Sequence, residues 1–202
     1  ESSPMAISKE TFDGGMTAEE FLGIVEANKE KFLENVENAR ISDEVKAYFS
    51  DHPVSIAAIG EDWCTDVVHF LPVVIKLASE VDGVYLRVFQ RDKTDLIDSY
   101  LNQGEFKSIP VFVFIDSDWN ELGHFIERPA KSTQAMAEES TRFQRANSDL
   151  EGVTRSYANM PDETREKVRA NAARFRWDNF DTWNDHFFEE VHNIVAGQAA
   201  VV

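Results

Sequence analysis

Cys64 is the only cysteine in the 202-residue chain, and its surroundings favour nucleophilic chemistry. It follows the apolar run Val54–Ile59 and precedes a helical pattern of apolar residues, so we expect it to lie where a strand passes into a helix. Unpaired backbone N–H groups and the dipole at a helix N-terminus favour a thiolate, which is the nucleophilic form of cysteine. This position predicts a reactive thiol.

Three carboxylates near Cys64 oppose this effect. Glu61, Asp62 and Asp66 all lie within three residues of the cysteine. Their negative charge disfavours a second anion nearby. No lysine or arginine lies within ten residues on either side of Cys64 to offset them. The local sequence therefore leaves open whether the helix start or the carboxylates dominate.

A single cysteine also limits the chemistry of the whole chain. It excludes an intramolecular disulfide and a dithiol active site. No glycine-rich phosphate-binding loop is present, and the histidines lack the spacing of metal ligands. We therefore expect no metal and no other cofactor. The histidines are His52, His69, His124, His186 and His192.

The segment Trp63-Cys64-Thr65-Asp66-Val67 resembles the Trp-Cys-x-x-Cys active-site motif of the thioredoxin superfamily, with Val67 in place of the second cysteine. Pro72 stands where thioredoxins carry the proline that kinks the active-site helix. Ile109-Pro110, followed by the apolar strand Val111–Ile115, is similar to the cis-proline loop of the family. The resemblance covers residues 54–128.

The resemblance implies an α/β thioredoxin-like fold, with a central mixed sheet flanked by helices and extra helices at both ends. It divides the chain into an N-terminal helical extension (1–53), the core (54–128) and a C-terminal helical extension (129–202). The strands 54–59 and 84–89 would be parallel, and 111–115 and 121–126 would form an antiparallel pair. We also expect a short helix over 93–102.

The same resemblance assigns roles to individual residues. Cys64 would be the nucleophile, with Trp63, Thr65, Asp66 and Val67 completing the motif. Ile109 and Pro110 would form the substrate groove, where the backbone of Ile109 pairs with an extended peptide.

Two departures from the family pattern narrow the expected activity. Val67 stands at the position of the second, resolving cysteine, and Ala58 stands where thioredoxins carry a buried acid. The resemblance then implies monothiol thiol–disulfide exchange, with protein or low-molecular-weight thiols as partners. The alternative is a non-catalytic domain that binds peptides or proteins through the same groove.

The extensions on both sides of the core are predicted to be helical. Thr17 and Glu20 have the spacing of a capping box. Beyond residue 129 we expect a polar helix over 130–150 and one long helix that starts at Pro161. The long helix has a wide aromatic face, which packs on the core of the same chain or else contacts a partner or a second copy of the chain. Its apolar residues are Val168, Phe175, Trp177, Phe180, Trp183, Phe187, Phe188, Val191, Ile194 and Val195.

Charge and hydropathy exclude several classes of partner. The net charge of −17 disfavours nucleic acid and acidic membranes, because both repel a field of this sign. No apolar run reaches the roughly 18 residues that a membrane span requires. No basic segment followed by an apolar one opens the sequence. We therefore expect a soluble, cytoplasmic protein.

Overall fold

The computed structural model describes residues 7–197, and its centre is a mixed four-stranded sheet. The strands are β1 (Val54–Ile59), β2 (Val84–Phe89), β3 (Val111–Ile115) and β4 (Glu121–Ile126), in the spatial order β2-β1-β3-β4. Strand β1 is parallel to β2 and antiparallel to β3, which in turn is antiparallel to β4. This arrangement confirms the predicted fold class.

The described residues also form eight α-helices. They are α1 (Lys9–Asp13), α2 (Ala18–Ile24), α3 (Lys29–Asn38), α4 (Asp43–Asp51), α5 (Thr65–Glu80), α6 (Ala130–Ala146), α7 (Asp162–Asp178) and α8 (Phe180–Val195). No helix among the described residues is long and apolar enough to cross a membrane.

Helix α5 is apolar around most of its circumference, and eleven of its 16 residues are buried. Pro72 lies inside this helix and has no N–H to donate to the carbonyl of Val68, four residues earlier. The side chain of Asn35 in α3 replaces the missing donor, with Nδ2 2.9 Å from the Val68 carbonyl oxygen. Asn35 is itself buried. The sequence thus pairs a helix-breaking proline with an amide on the neighbouring helix.

The N-terminal part of the chain contains both predicted and unpredicted features. Thr17 and Glu20 form the predicted capping box, with both hydrogen bonds at 3.1 Å. Helix α1 was not predicted. Met16 forms an isolated antiparallel bridge with Val88, so a single residue extends the sheet beyond β2.

The prediction of a helix over 93–102 is wrong. Two 3₁₀ turns, Arg91–Lys93 and Leu96–Ser99, occupy the region instead.

The prediction of one long C-terminal helix is also wrong, because the chain breaks at Asn179 between α7 and α8. The Asn179 side-chain amide donates to the Phe175 carbonyl at 2.8 Å, which caps α7. Its own carbonyl accepts from the N–H of Trp183 and so starts α8. One asparagine therefore both ends and begins a helix, without the glycine or proline that would have marked a break.

The described residues form two compact units. One contains residues 7–128 and 187–197, and the other is Pro129–His186. Within the first unit, the Phe187 ring lies 5.4 Å from Phe70, 5.5 Å from Phe112 and 4.9 Å from Phe125. At this position the aromatic face of α8 packs on the chain's own core.

Replacing Asn35 tests the pairing between α3 and Pro72. Asn35→Ala leaves the Val68 carbonyl buried without its donor, which should lower the free energy of unfolding by about 1–3 kcal/mol. Asn38→Ala, on the exposed side of the same helix, should change it by less than about 0.5 kcal/mol. Urea unfolding followed by circular dichroism measures both. Equal effects of the two substitutions would show that the Asn35 amide does not compensate for Pro72.

Candidate active site

Cys64 occupies the N-cap of α5, at the junction with β1. Its carbonyl accepts the N–H of Val68 at 3.0 Å, and its own N–H donates to the Glu61 carbonyl at 3.3 Å. The thiol is partly exposed, and Sγ lies 3.5 Å from the carbonyl oxygen of Ile109, to which it donates. The structure therefore brings Cys64 and the loop before β3 together.

The peptide bond between Ile109 and Pro110 is cis. The Pro110 carbonyl accepts the N–H of Glu127 at 2.8 Å, which ties the loop to the end of β4. Asn102 reinforces this link, since its Nδ2 lies 3.0 Å from Glu127 Oε2 and 3.2 Å from Ser108 Oγ. The Ile109 side chain is buried, so this residue faces the thiol with its backbone carbonyl.

Trp63 is 52% exposed beside the thiol. The guanidinium carbon of Arg91 lies 4.9 Å from the centre of the Trp63 ring, within the range of a cation–π interaction. Arg91 also approaches the Lys107 carbonyl at 3.4 Å and the Asp92 carboxylate at 3.0 Å. Arg91 therefore connects Trp63 with the loop that leads to Pro110.

Two of the carboxylates near Cys64 hold neighbouring loops in place. Asp62 Oδ2 accepts the backbone N–H groups of Glu26 at 2.9 Å and Ala27 at 3.0 Å. Glu61 is buried and accepts from Gln90 Nε2 at 3.4 Å and the N–H of Asp92 at 3.5 Å. Hydrogen-bond donors on other segments thus solvate both charges.

The third carboxylate, Asp66, forms an ion pair with Arg128. Asp66 is only 7% exposed, and its Oδ2 lies 2.6 Å from Nη1 of Arg128. The same nitrogen lies 2.7 Å from Glu127 Oε1. Burial lowers the pKa of Arg128, but Asp66, Glu127 and Cys64 together raise it above its usual value. The negative charge of a Cys64 thiolate is thus one of the charges that would stabilise the cationic form of Arg128.

The remaining motif residues shape the junction. Thr65 is exposed in the first turn of α5, whereas Val67 is fully buried. A Cβ on Gly60 would lie 3.0 Å from Cγ1 of Val67, so the glycine lets the end of β1 approach the helix. Ala58 is buried in β1 between Val88 and Phe112, so the position six residues before Cys64 is apolar.

Residues 15–143 match a protein-family profile described as thioredoxin. The chain belongs to the thioredoxin family. Two solved structures share its fold. A protein of unknown function from Pseudomonas aeruginosa superposes with a TM-score of 0.59 at 17% identity, over 86% of this chain and 99% of that one. An HIV epitope scaffold does so with a TM-score of 0.52 at 21% identity, over 63% of this chain and 79% of that one. No curated protein matches the sequence.

Within this thioredoxin fold, two site residues escaped the sequence analysis. Arg128 lies 62 positions from Asp66, and Arg91 likewise reaches the site from a separate loop. The only sequence signal for Arg128 was its position directly after the predicted last strand. No group of three or more His, Cys, Asp or Glu residues between 7 and 197 is arranged to hold a metal ion.

Charge substitutions at the ion pair should change the reactivity of Cys64 in opposite directions. Arg128→Gln leaves Asp66 and Glu127 uncompensated, so the alkylation rate of the thiol should reach its half-maximum at a higher pH than in the parent protein. Asp66→Asn removes a negative charge and should move that midpoint to lower pH. Arg145→Gln removes one positive charge, as Arg128→Gln does, but at an exposed position, and should leave the midpoint unchanged.

Iodoacetamide labelling followed by mass spectrometry measures all three midpoints. Shifts of the same sign for Arg128→Gln and Asp66→Asn would contradict a charge effect at the thiol.

Proposed function

We propose that the protein carries out monothiol thiol–disulfide exchange, with Cys64 as the nucleophile. The observation that supports this most directly is the position of Sγ, at the N-cap of α5 and 3.5 Å from the Ile109 carbonyl that precedes the cis bond. The helix N-terminus favours a thiolate, and Arg128 supplies a cation nearby. Cys64 is only partly buried, as an attack on a second sulfur atom requires.

The exchange proceeds in two steps that conserve electrons. The Cys64 thiolate attacks one sulfur of a disulfide, forms a mixed disulfide with it and releases the other sulfur as a thiolate. A low-molecular-weight thiolate then attacks the mixed disulfide, releases the Cys64 thiolate and leaves with the substrate sulfur as a new disulfide. Val67 cannot perform the second step, so a partner thiol is required. A cytoplasmic location would supply such thiols in reduced form.

The contact with Ile109 works against ionisation of the thiol. In the resting protein the Cys64 thiol donates a hydrogen bond to that carbonyl, and this bond is lost when the proton leaves. The helix N-terminus and Arg128 favour the thiolate, so the reactivity of Cys64 depends on the balance between these effects. A substrate that takes over the Ile109 carbonyl would remove the opposing contact.

A second candidate function is binding of a peptide or protein without chemistry. The exposure of Trp63 and Phe106, 52% and 53%, favours it, because large exposed aromatic groups often anchor partners. Arg91 adds a cation between the tryptophan and the loop that carries Phe106. The predicted homodimer contact through the C-terminal aromatic residues belongs to this candidate.

The pH dependence of Cys64 alkylation separates the two functions. For thiol–disulfide exchange, the native protein should react with iodoacetamide with an inflection clearly below about 8.5, the value of an ordinary cysteine. The same chain in denaturant provides the reference, because it has the same cysteine without the helix. A native inflection at or above the reference would reject exchange and leave the binding function.

Restoring a second cysteine tests whether the rest of the site is intact. Val67→Cys should allow the protein to reduce insulin disulfides, because an internal thiol could then release the mixed disulfide. Val68→Cys adds a thiol at the next buried position of α5 and should not do so. Turbidity of precipitating insulin chains measures the rate. If neither variant is active while both remain folded, the substrate groove does not support catalysis.

A further inference from the structure

A cavity of about 370 Å³ lies at the end of the sheet opposite Cys64. It is bounded by the start of β1, by β2, by α1 and by the turn between β3 and β4. Strand β1 has six residues and leads from this cavity to the active-site junction, a distance of about 20 Å. The cavity is therefore a separate feature from the proposed thiol site.

Strand β2 contributes a cationic side chain, that of Arg87, to the lining of the cavity. Tyr85 and Arg87 are two residues apart in β2, so they lie on the same face of the sheet. Their partners in β1 are Ser55 and Ala57. Ala57 is small and buried, which leaves room above it for the longer side chains. Phe12 of α1 covers the same face, with its ring centre 5.9 Å from the guanidinium carbon of Arg87.

Arg87 has few partners for its donors. Its Nε is buried and makes no hydrogen bond to any described residue. Nη1 donates to the Leu86 carbonyl at 3.5 Å, which is long for a hydrogen bond. The whole guanidinium group carries five N–H donors. Glu20 interacts with Arg87 electrostatically, but its pKa is lowered chiefly by the hydrogen bond from the Thr17 N–H in the capping box.

The acidic residues around the cavity are already engaged. Asp13 pairs with Lys9 at 2.6 Å. Asp116 Oδ1 accepts the N–H groups of Asp118 and Asn120, both at 2.9 Å. Of the two cations that line the cavity, Lys9 is thus paired with Asp13, whereas the guanidinium of Arg87 forms no ion pair with a described carboxylate within 4 Å and can offer its Nη donors to a ligand.

Aromatic rings form the walls. Trp119 packs against Phe12 with ring centres 5.5 Å apart, and Tyr85 is 58% exposed. Trp119 has φ +64, a conformation that costs a bulky residue about 1–2 kcal/mol. Hydrogen bonds that Asp116 accepts hold the turn in this form, including the one that the Trp119 N–H donates to the Asp116 carbonyl at 3.1 Å. The turn thereby directs an indole ring towards Phe12.

The geometry points to a binding site for a small aromatic carboxylate. The guanidinium of Arg87 offers a fork of donors that matches a carboxylate, and the rings of Trp119 and Tyr85 offer faces for stacking. A cavity of this size is at the lower end of ligand sites, which suits a molecule of one or two rings.

The test uses 1-naphthoate as the probe and the full chain as the receptor, at about 0.15 M salt to limit non-specific charge effects. Titration calorimetry measures affinity, and the indole N–H signal of Trp119 in a nitrogen–proton correlation spectrum reports the place of binding. We expect saturable binding that moves this signal. The uncharged analogue 1-naphthylmethanol should bind about tenfold more weakly or worse, because it cannot pair with Arg87.

Two variants assign the binding to Arg87. Arg87→Gln should weaken 1-naphthoate binding about tenfold or more, whereas Arg145→Gln, which changes the net charge equally, should not. Tyr85→Ser should also weaken binding and serves if Arg87→Gln fails to fold. Cys64→Ser should bind as the parent does. Absence of saturable binding, equal affinity for the neutral analogue, or parental affinity in a folded Arg87→Gln or Tyr85→Ser variant would overturn the assignment.

Discussion

The close contact between Gly60 and Val67 is the constraint on which the geometry of the active site depends. A side chain at Gly60 would press against Cγ1 of Val67, so the glycine allows the end of β1 to meet the first turn of α5. Val67 is fully buried in the first turn of the helix. Cys64 is the residue just before the helix start, where helix dipole and unpaired amides act most strongly. The cis bond before Pro110 then sets the carbonyl that faces the thiol.

Three carboxylates lie close to Cys64, and each of them is engaged by different partners. Asp62 binds backbone amides of the α2–α3 loop, and Glu61 binds donors beyond β2. Asp66 is paired with Arg128. Charges that are hydrogen-bonded and paired exert a weaker field on a neighbour than isolated ones, because their donors offset part of the negative potential. The three carboxylates should therefore disfavour a Cys64 thiolate less than their spacing in the sequence suggests.

The features that the sequence predicted well are those that depend on neighbouring residues. The capping box of Thr17 and Glu20 and the apolar strand β1 need only local spacing, and both are present. The missed features join distant residues. Arg128 and Asp66 are 62 residues apart and meet only in the folded structure. The Asn35 amide reaches the Val68 carbonyl, which lacks a donor because of Pro72, through the packing of α3 on α5. The break at Asn179 was missed because a side-chain amide caps the helix in place of the usual glycine or proline.

Burial of Val67 also explains why the fold accepts an apolar residue at the position where the thioredoxin motif has its second cysteine. The position belongs to the core, and a valine fills it with an apolar side chain. In the proposed exchange, what changes is the lifetime of a mixed disulfide, because no internal thiol competes to release it. The partner then stays attached until an external thiol arrives, held by one covalent bond and by whatever Trp63 and the Pro110 loop contribute. In such a protein, exchange and binding are two stages of one interaction, and the supply of free thiol decides how long the complex lasts.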